Sequence, residues 1–66
     1  MSEIQLKEIR EKRNLTQDEL AELSGVRQST ISNIELGHTV NPGLDTLQKL
    51  SKALGVSLDE LTEKKN

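Results

Sequence analysis

Apolar residues recur along this chain in short bursts at three- and four-residue spacing, parted by Gly, Asn, Pro and Ser, and the pattern predicts five short helices with short joints and no sheet. Ser2 and Gln5 form a capping-box pair ahead of a first helix running to about Arg13, with Leu6 and Ile9 pointing inward. Asn14 and Leu15 lead into the second helix, whose start is written twice. Thr16 with Glu19 is a capping box, and Leu15 with Leu20 is the hydrophobic staple around it, so a helix begins at Gln17. Leu20, Ala21 and Leu23 give that helix an apolar side, and Ser24 and Gly25 stop it. A third helix follows at once. Val26 and Ile31 repeat the staple spacing around a cap at Arg27, and Ile31 with Ile34 supplies an i, i+3 core contact. The longest loop, Leu36 to Gly43, carries the turn residues Gly37, Asn41, Pro42 and Gly43. Leu44, Leu47, Leu50, Ser51 and Leu54 then mark a fourth helix that Gly55 ends. Ser57 and Glu60 form another capping box, with Val56 and Leu61 as its staple, and open a short fifth helix. Residues 62–66, ending in Lys64, Lys65 and Asn66, read as a frayed tail with nothing apolar to hold it.

The stretch from Thr16 to Glu35 carries most of the functional information. Its two helices are separated by too few residues to do anything but cross, which is the outline of a DNA-reading helix-turn-helix. On the second of the two, Gln28, Ser29, Thr30, Ser32 and Asn33 are all uncharged hydrogen-bonding side chains, where a structural surface helix carries Glu and Lys more often.

The segment resembles the helix-turn-helix of the lambda-repressor-like, Cro-type (XRE) family of DNA-binding transcriptional regulators. The marks are Gln17 opening the second helix, Leu20 and Ala21 on its buried side, Gly25 in the turn, and Ile31, Ile34 and Glu35 closing the third helix; the likeness continues through Gly37, Pro42 and LDTLQKLSKALGVSLDEL. Each mark has a mechanical reason. Ala21 admits the third helix closely, Gly25 makes the turn, and the two Ile residues hold the recognition helix against its support. The resemblance implies an all-α, compact five-helix domain spanning residues 1–66, with the helix-turn-helix at 16–35 formed by helices 2 and 3.

The same resemblance implies roles for particular residues. Gln17 donates to a phosphate while the start of the third helix enters the major groove. Gln28 reads a base, its amide matching adenine N6 and N7; Asn33 does the same or contacts the backbone, and Ser29, Thr30 and Ser32 bond a base edge or a phosphate. Arg10 and Glu35 meet as a structural salt bridge linking the first helix to the end of the third. Arg10 and Arg13 also count among the cations available to phosphates. Two positions depart from the family pattern. Arg27 stands where Ser or Thr often caps the helix, trading a cap for a guanidinium that can clamp a phosphate or a guanine. Leu36 stands where a polar residue often contacts the backbone; with Val40 it makes an apolar loop that packs either on a partner subunit or over its own core. In similar proteins the dimer contact comes from the loop after the fourth helix and from the fifth. The interface candidates are Val56, Leu58 and Leu61, with Val40 and Leu44 as supplements, although a staple and a core contact account for Val56 and Leu61 without a partner.

Composition narrows these readings. Sixty-six residues allow one small domain, near the lower limit for a core without staples. Without Cys there are no disulfides or thiolate metal sites, and no apolar run or signal pattern addresses a membrane, so a soluble cytoplasmic protein is expected, to which the family resemblance adds a bacterial or phage origin and nucleoid association. Without Phe, Trp or Tyr there is no stacking platform for single strands, which favours double-stranded DNA. His38 is the one histidine, too little for a metal cluster or a His-assisted nucleophile, and the four Gly residues form no phosphate loop. No catalytic residue, metal, cofactor or small-molecule effector is expected. Net charge is -2, and Thr16 to Leu36 holds only Arg27 against Asp18, Glu19, Glu22 and Glu35. Affinity must then rest on helix N-termini and a few placed cations, including Lys7, Lys12 and Arg13 of the first helix. The reading is a dimeric regulator on a pseudo-palindromic operator, a repressor or small-operon controller. The alternatives are an antitoxin-like interaction module with secondary DNA binding and, disfavoured by the polar row on helix 3, a structural domain without DNA activity.

Overall fold

The computed structural model of this protein describes residues 4–39 and 42–62, in which five helices follow one another with no strand among the described residues. They are α1 (Leu6–Lys12), α2 (Gln17–Ser24), α3 (Gln28–Glu35), α4 (Leu44–Leu54) and α5 (Leu58–Thr62). The second packs against both α3 and α4, α4 carries α5, and α1 lies against α3. The amide of Gln5 donates to the Leu61 carbonyl at 2.9 Å, tying the start of the described chain to the last helix.

Local sequence explains the helix ends in the middle of the molecule. The Thr16 hydroxyl accepts from the Glu19 amide at 3.0 Å and the Glu19 carboxylate accepts from the Thr16 amide at 2.8 Å, completing the capping box. Ser57 and Glu60 make the same reciprocal pair at the head of α5. Gly25 takes φ +75° and donates to the Ala21 carbonyl, so the turn between α2 and α3 uses the left-handed conformation that glycine adopts without a Cβ penalty.

The first helix departs from expectation at both ends. It starts at Leu6, later than the Ser2–Gln5 pair predicts, and Gln5 caps it without a side-chain hydrogen bond; Ser2 lies outside the described residues. Its end is sharper than the sequence suggests. Asn14 adopts φ +58°, and the amides of Asn14 and Leu15 return to the carbonyls of Glu11 and Arg10 at 3.0 and 3.2 Å, the paired bonds of a Schellman stop.

One core joins all five helices through Leu6, Leu20, Val26, Ile31, Ile34, Leu50, Leu54 and Leu61, with Ile4, Ile9, Leu15, Ala21, Leu47, Ala53 and Val56 packed around it. Leu23 and Leu44 of the predicted apolar pattern fall outside it, as does the loop residue Leu36; each is more than half exposed. Leu23 lies on the solvent side of α2, and Leu44, first residue of α4, is the exposed end of its stripe among the described residues. Leu36, 65% exposed, does not fold over its own core. Val40 lies outside the described residues, as do 63–66 of the expected tail. Thr62, by contrast, is still helical, and its hydroxyl donates to the Leu58 carbonyl at 2.9 Å.

Candidate nucleic-acid interface

The polar row on α3 divides by helical position. Ile31 and Ile34 face the core and are fully buried, so residues on the opposite side are held outward: Gln28, Ser29 and Asn33 are exposed, and Thr30 and Ser32 are half-buried. Arg27, also exposed, occupies the N-cap with extended backbone and no side-chain cap bond, so its guanidinium is not spent on the helix. Arg13 is exposed beyond the end of α1.

Arg10 meets Glu35 as an ion pair. Its Nε donates to Glu35 Oε2 at 2.7 Å, Nη2 to Glu35 Oε1 at 3.0 Å, and Nη1 to the Leu15 carbonyl at 2.6 Å. With every nitrogen engaged and 9% of its surface exposed, it is a buried strut between α1 and the end of α3. Among the described residues no buried side-chain polar atom lacks a partner, and this pair is part of the reason. Burial alone pushes the Glu35 carboxyl up, but the hydrogen bonds from Arg10 and Gln17, with the nearby charges of Arg10 and Lys7, more than offset it and hold the group below the usual carboxylate range. The reciprocal effect raises Arg10.

Gln17 and Gln28 come together, and Glu35 joins them. Gln28 Nε2 donates to Gln17 Oε1, and Gln17 Nε2 donates to Glu35 Oε1 at 2.9 Å. The sequence by itself assigns Gln17 and Glu35 separate duties and does not reveal this link. The signal for it is the spacing of Gln28 and Glu35, one step of i, i+7, which lines them up on a single stripe of α3 where one side chain from α2 can span both.

The proposed interface residues for a second copy differ in exposure. Leu61 is fully buried in the core and is removed from that set. Val56 and Leu58 are half-buried, Leu44 is exposed, and Val40 is not among the described residues. Val56 also lines an open groove of ≈ 310 Å³ with Ile9, Lys12, Arg13 and Glu60. Among the described residues no group of His, Cys, Asp and Glu is disposed to hold a metal ion, and no helix is long and apolar enough to cross a membrane.

A crossed helix pair with an amide-rich outer row defines a helix-turn-helix, and residues 6–61 match the family described as Helix-turn-helix. The chain belongs to this XRE-type family of DNA-binding transcriptional regulators, a class without enzymatic activity. It is 51% identical over 55 residues to the HTH-type transcriptional regulator PuuR of Escherichia coli K12, covering 83% of this chain and 29% of that one. HigA2 of Mycobacterium tuberculosis, whose name marks it as a candidate antitoxin, is 43% identical over 54 residues, 82% of this chain and 54% of its own length. The solved N-terminal DNA-binding domain of SinR from Bacillus subtilis superposes with a TM-score of 0.85 at 36% identity, covering 92% of this chain and 88% of that domain. This chain therefore spans under a third of PuuR and about half of HigA2, while matching an isolated DNA-binding domain almost end to end.

Proposed function

We propose that this chain reads double-stranded DNA by sequence through the N-terminal half of α3 and represses transcription, or controls a small operon, as a homodimer on a pseudo-palindromic operator in the bacterial cytoplasm. The observation that carries the reading is the exposed amide of Gln28 at the head of α3, braced by Gln17. An amide donates at one end and accepts at the other, the pattern that adenine N7 and N6 complement in the major groove. Ser29 and Asn33 extend the same exposed row, and Arg27 at the head of α3 and Arg13 after α1 are exposed cations for phosphates. A reader this small covers few base pairs, so two copies with half-sites about 34 Å apart give a usable site. Leu58 and Val56, with Leu44, are the residues for that contact.

Selection of bound duplexes from a random pool tests the reading. A two-fold symmetric motif is expected, with preference lost at one base pair per half-site for Gln28→Ala. No enrichment at low salt would leave the second reading, an antitoxin-like module that acts by binding a protein. Two observations favour that alternative: the likeness to HigA2 and the exposed Leu36.

A further inference from the structure

The two amides on the recognition face end a chain of hydrogen bonds that begins at a buried carboxylate. Glu35 Oε1 accepts from Gln17 Nε2, and Gln17 Oε1 accepts from Gln28 Nε2. An ionised carboxylate can only accept, whereas a primary amide has donors on its nitrogen and acceptors on its oxygen. Gln17 must therefore turn its nitrogen to Glu35, which turns its oxygen to Gln28, and Gln28 must answer with its nitrogen. Arg10 holds the source of this order in place by gripping both Glu35 oxygens, and the Glu35 side chain, 4% exposed, leaves water little access to substitute for either partner.

We infer that Glu35 is a positioning residue for base reading: through Gln17 it fixes which end of the exposed Gln28 amide donates and which accepts. The inference rests on the reading that Gln28 meets a base. After Gln28 has given one N–H to Gln17, one N–H and the carbonyl oxygen remain on its outer edge in a single order. Adenine presents an acceptor at N7 and a donor at N6, also in a single order, so an amide turned end for end sets oxygen against N7 and loses the match. Glu35 itself lies about 10 Å of helix rise from Gln28 and is too buried to touch DNA. It contributes direction, and the direction is transmitted by two side chains.

The test uses the duplex selected by the wild-type protein and the base pair at which Gln28→Ala loses preference, with dissociation constants measured for all four pairs at that position. The wild type is expected to favour one pair by roughly ten-fold or more. In Glu35→Gln the new amide can donate or accept, so the relay runs both ways and only about half of the molecules present the right edge. Binding to the preferred duplex then weakens about two-fold, and preference at that position falls by about the same factor while other positions keep theirs. Gln17→Met leaves the Arg10–Glu35 pair in place and breaks the relay, so it loses the same preference together with a sequence-independent loss of affinity. Thermal melts identify which variants are folded; if Glu35→Gln does not fold, Gln17→Met decides. The relay is overturned if every folded variant keeps the wild-type preference at that pair while Gln28→Ala relaxes it. Absence of any selected duplex for the wild type overturns the functional reading, and the relay with it.

Discussion

Glu35 contributes more to this fold than its single charge suggests, because its carboxylate accepts from two side chains on two other elements, Arg10 of α1 and Gln17 of α2. Removing it strands a guanidinium that is 9% exposed, and breaking a buried pair from one side costs about 3 kcal/mol or more, a large share of what a domain this size has. Glu35→Ala is therefore expected to lower the urea midpoint steeply, while Glu22→Ala, on the exposed side of α2, shifts stability by no more than about 0.5 kcal/mol. Equal midpoints would show that the pair is structurally idle. The same group sets an acid limit. Its folded-state pKa lies below the ordinary carboxylate value, so its contribution is complete above about pH 4.3 and is lost as pH falls through the lowered folded value. Chemical denaturation from pH 7 to pH 2 should show that loss in the wild type and a shallower one in Glu35→Gln.

At the level of elements, what could be read in the sequence was what a few consecutive residues decide among themselves. Thr16 and Glu19 specify the start of α2 by a reciprocal bond three residues long, and the structure has both halves of it. Thr16→Ala should cost about 1 kcal/mol in thermal or urea unfolding, with Thr16→Gly recovering most of that loss. The end of α1 escaped because an Asn in a joint has several uses, and only the returning amides of Asn14 and Leu15 show it as a left-handed stop. Asn14→Gly is expected to be neutral or slightly stabilising, and Asn14→Ala to cost on the order of 1 kcal/mol, since a Cβ in that conformation is strained. Periodicity also overcounted the core. It assigns Leu23 and Leu44 an inner side because it records spacing alone, whereas burial depends on which helix lies opposite. The link from Gln17 to Glu35 was hidden for the same reason, as it exists only once α2 and α3 have crossed.

For the whole molecule, the distribution of charge decides how binding should respond to salt. The formal imbalance of the helix-turn-helix overstates its repulsion of DNA, because Glu35 is paired inside the fold with Arg10 and Glu19 is partly spent on a cap. Arg10 is engaged in that pair as well, while Arg27 at the head of α3 and Arg13 after α1 are exposed. Counterion release scales with phosphates neutralised, at about 0.9 in log–log slope for each. Two such contacts per subunit give a slope of about -4 for a dimer, well short of the -10 or so of a protein making some ten phosphate contacts. Arg27→Gln should make the slope shallower by about one per subunit and weaken all duplexes alike, leaving the order of base preferences unchanged. A titration of affinity against salt, run on the preferred duplex and on one altered at the Gln28 pair, checks both statements. A slope near -10 would mean that other cations, such as Lys7 or Lys12 on α1, meet the backbone. A change in base order for Arg27→Gln would mean that this guanidinium reads a guanine and is no phosphate clamp.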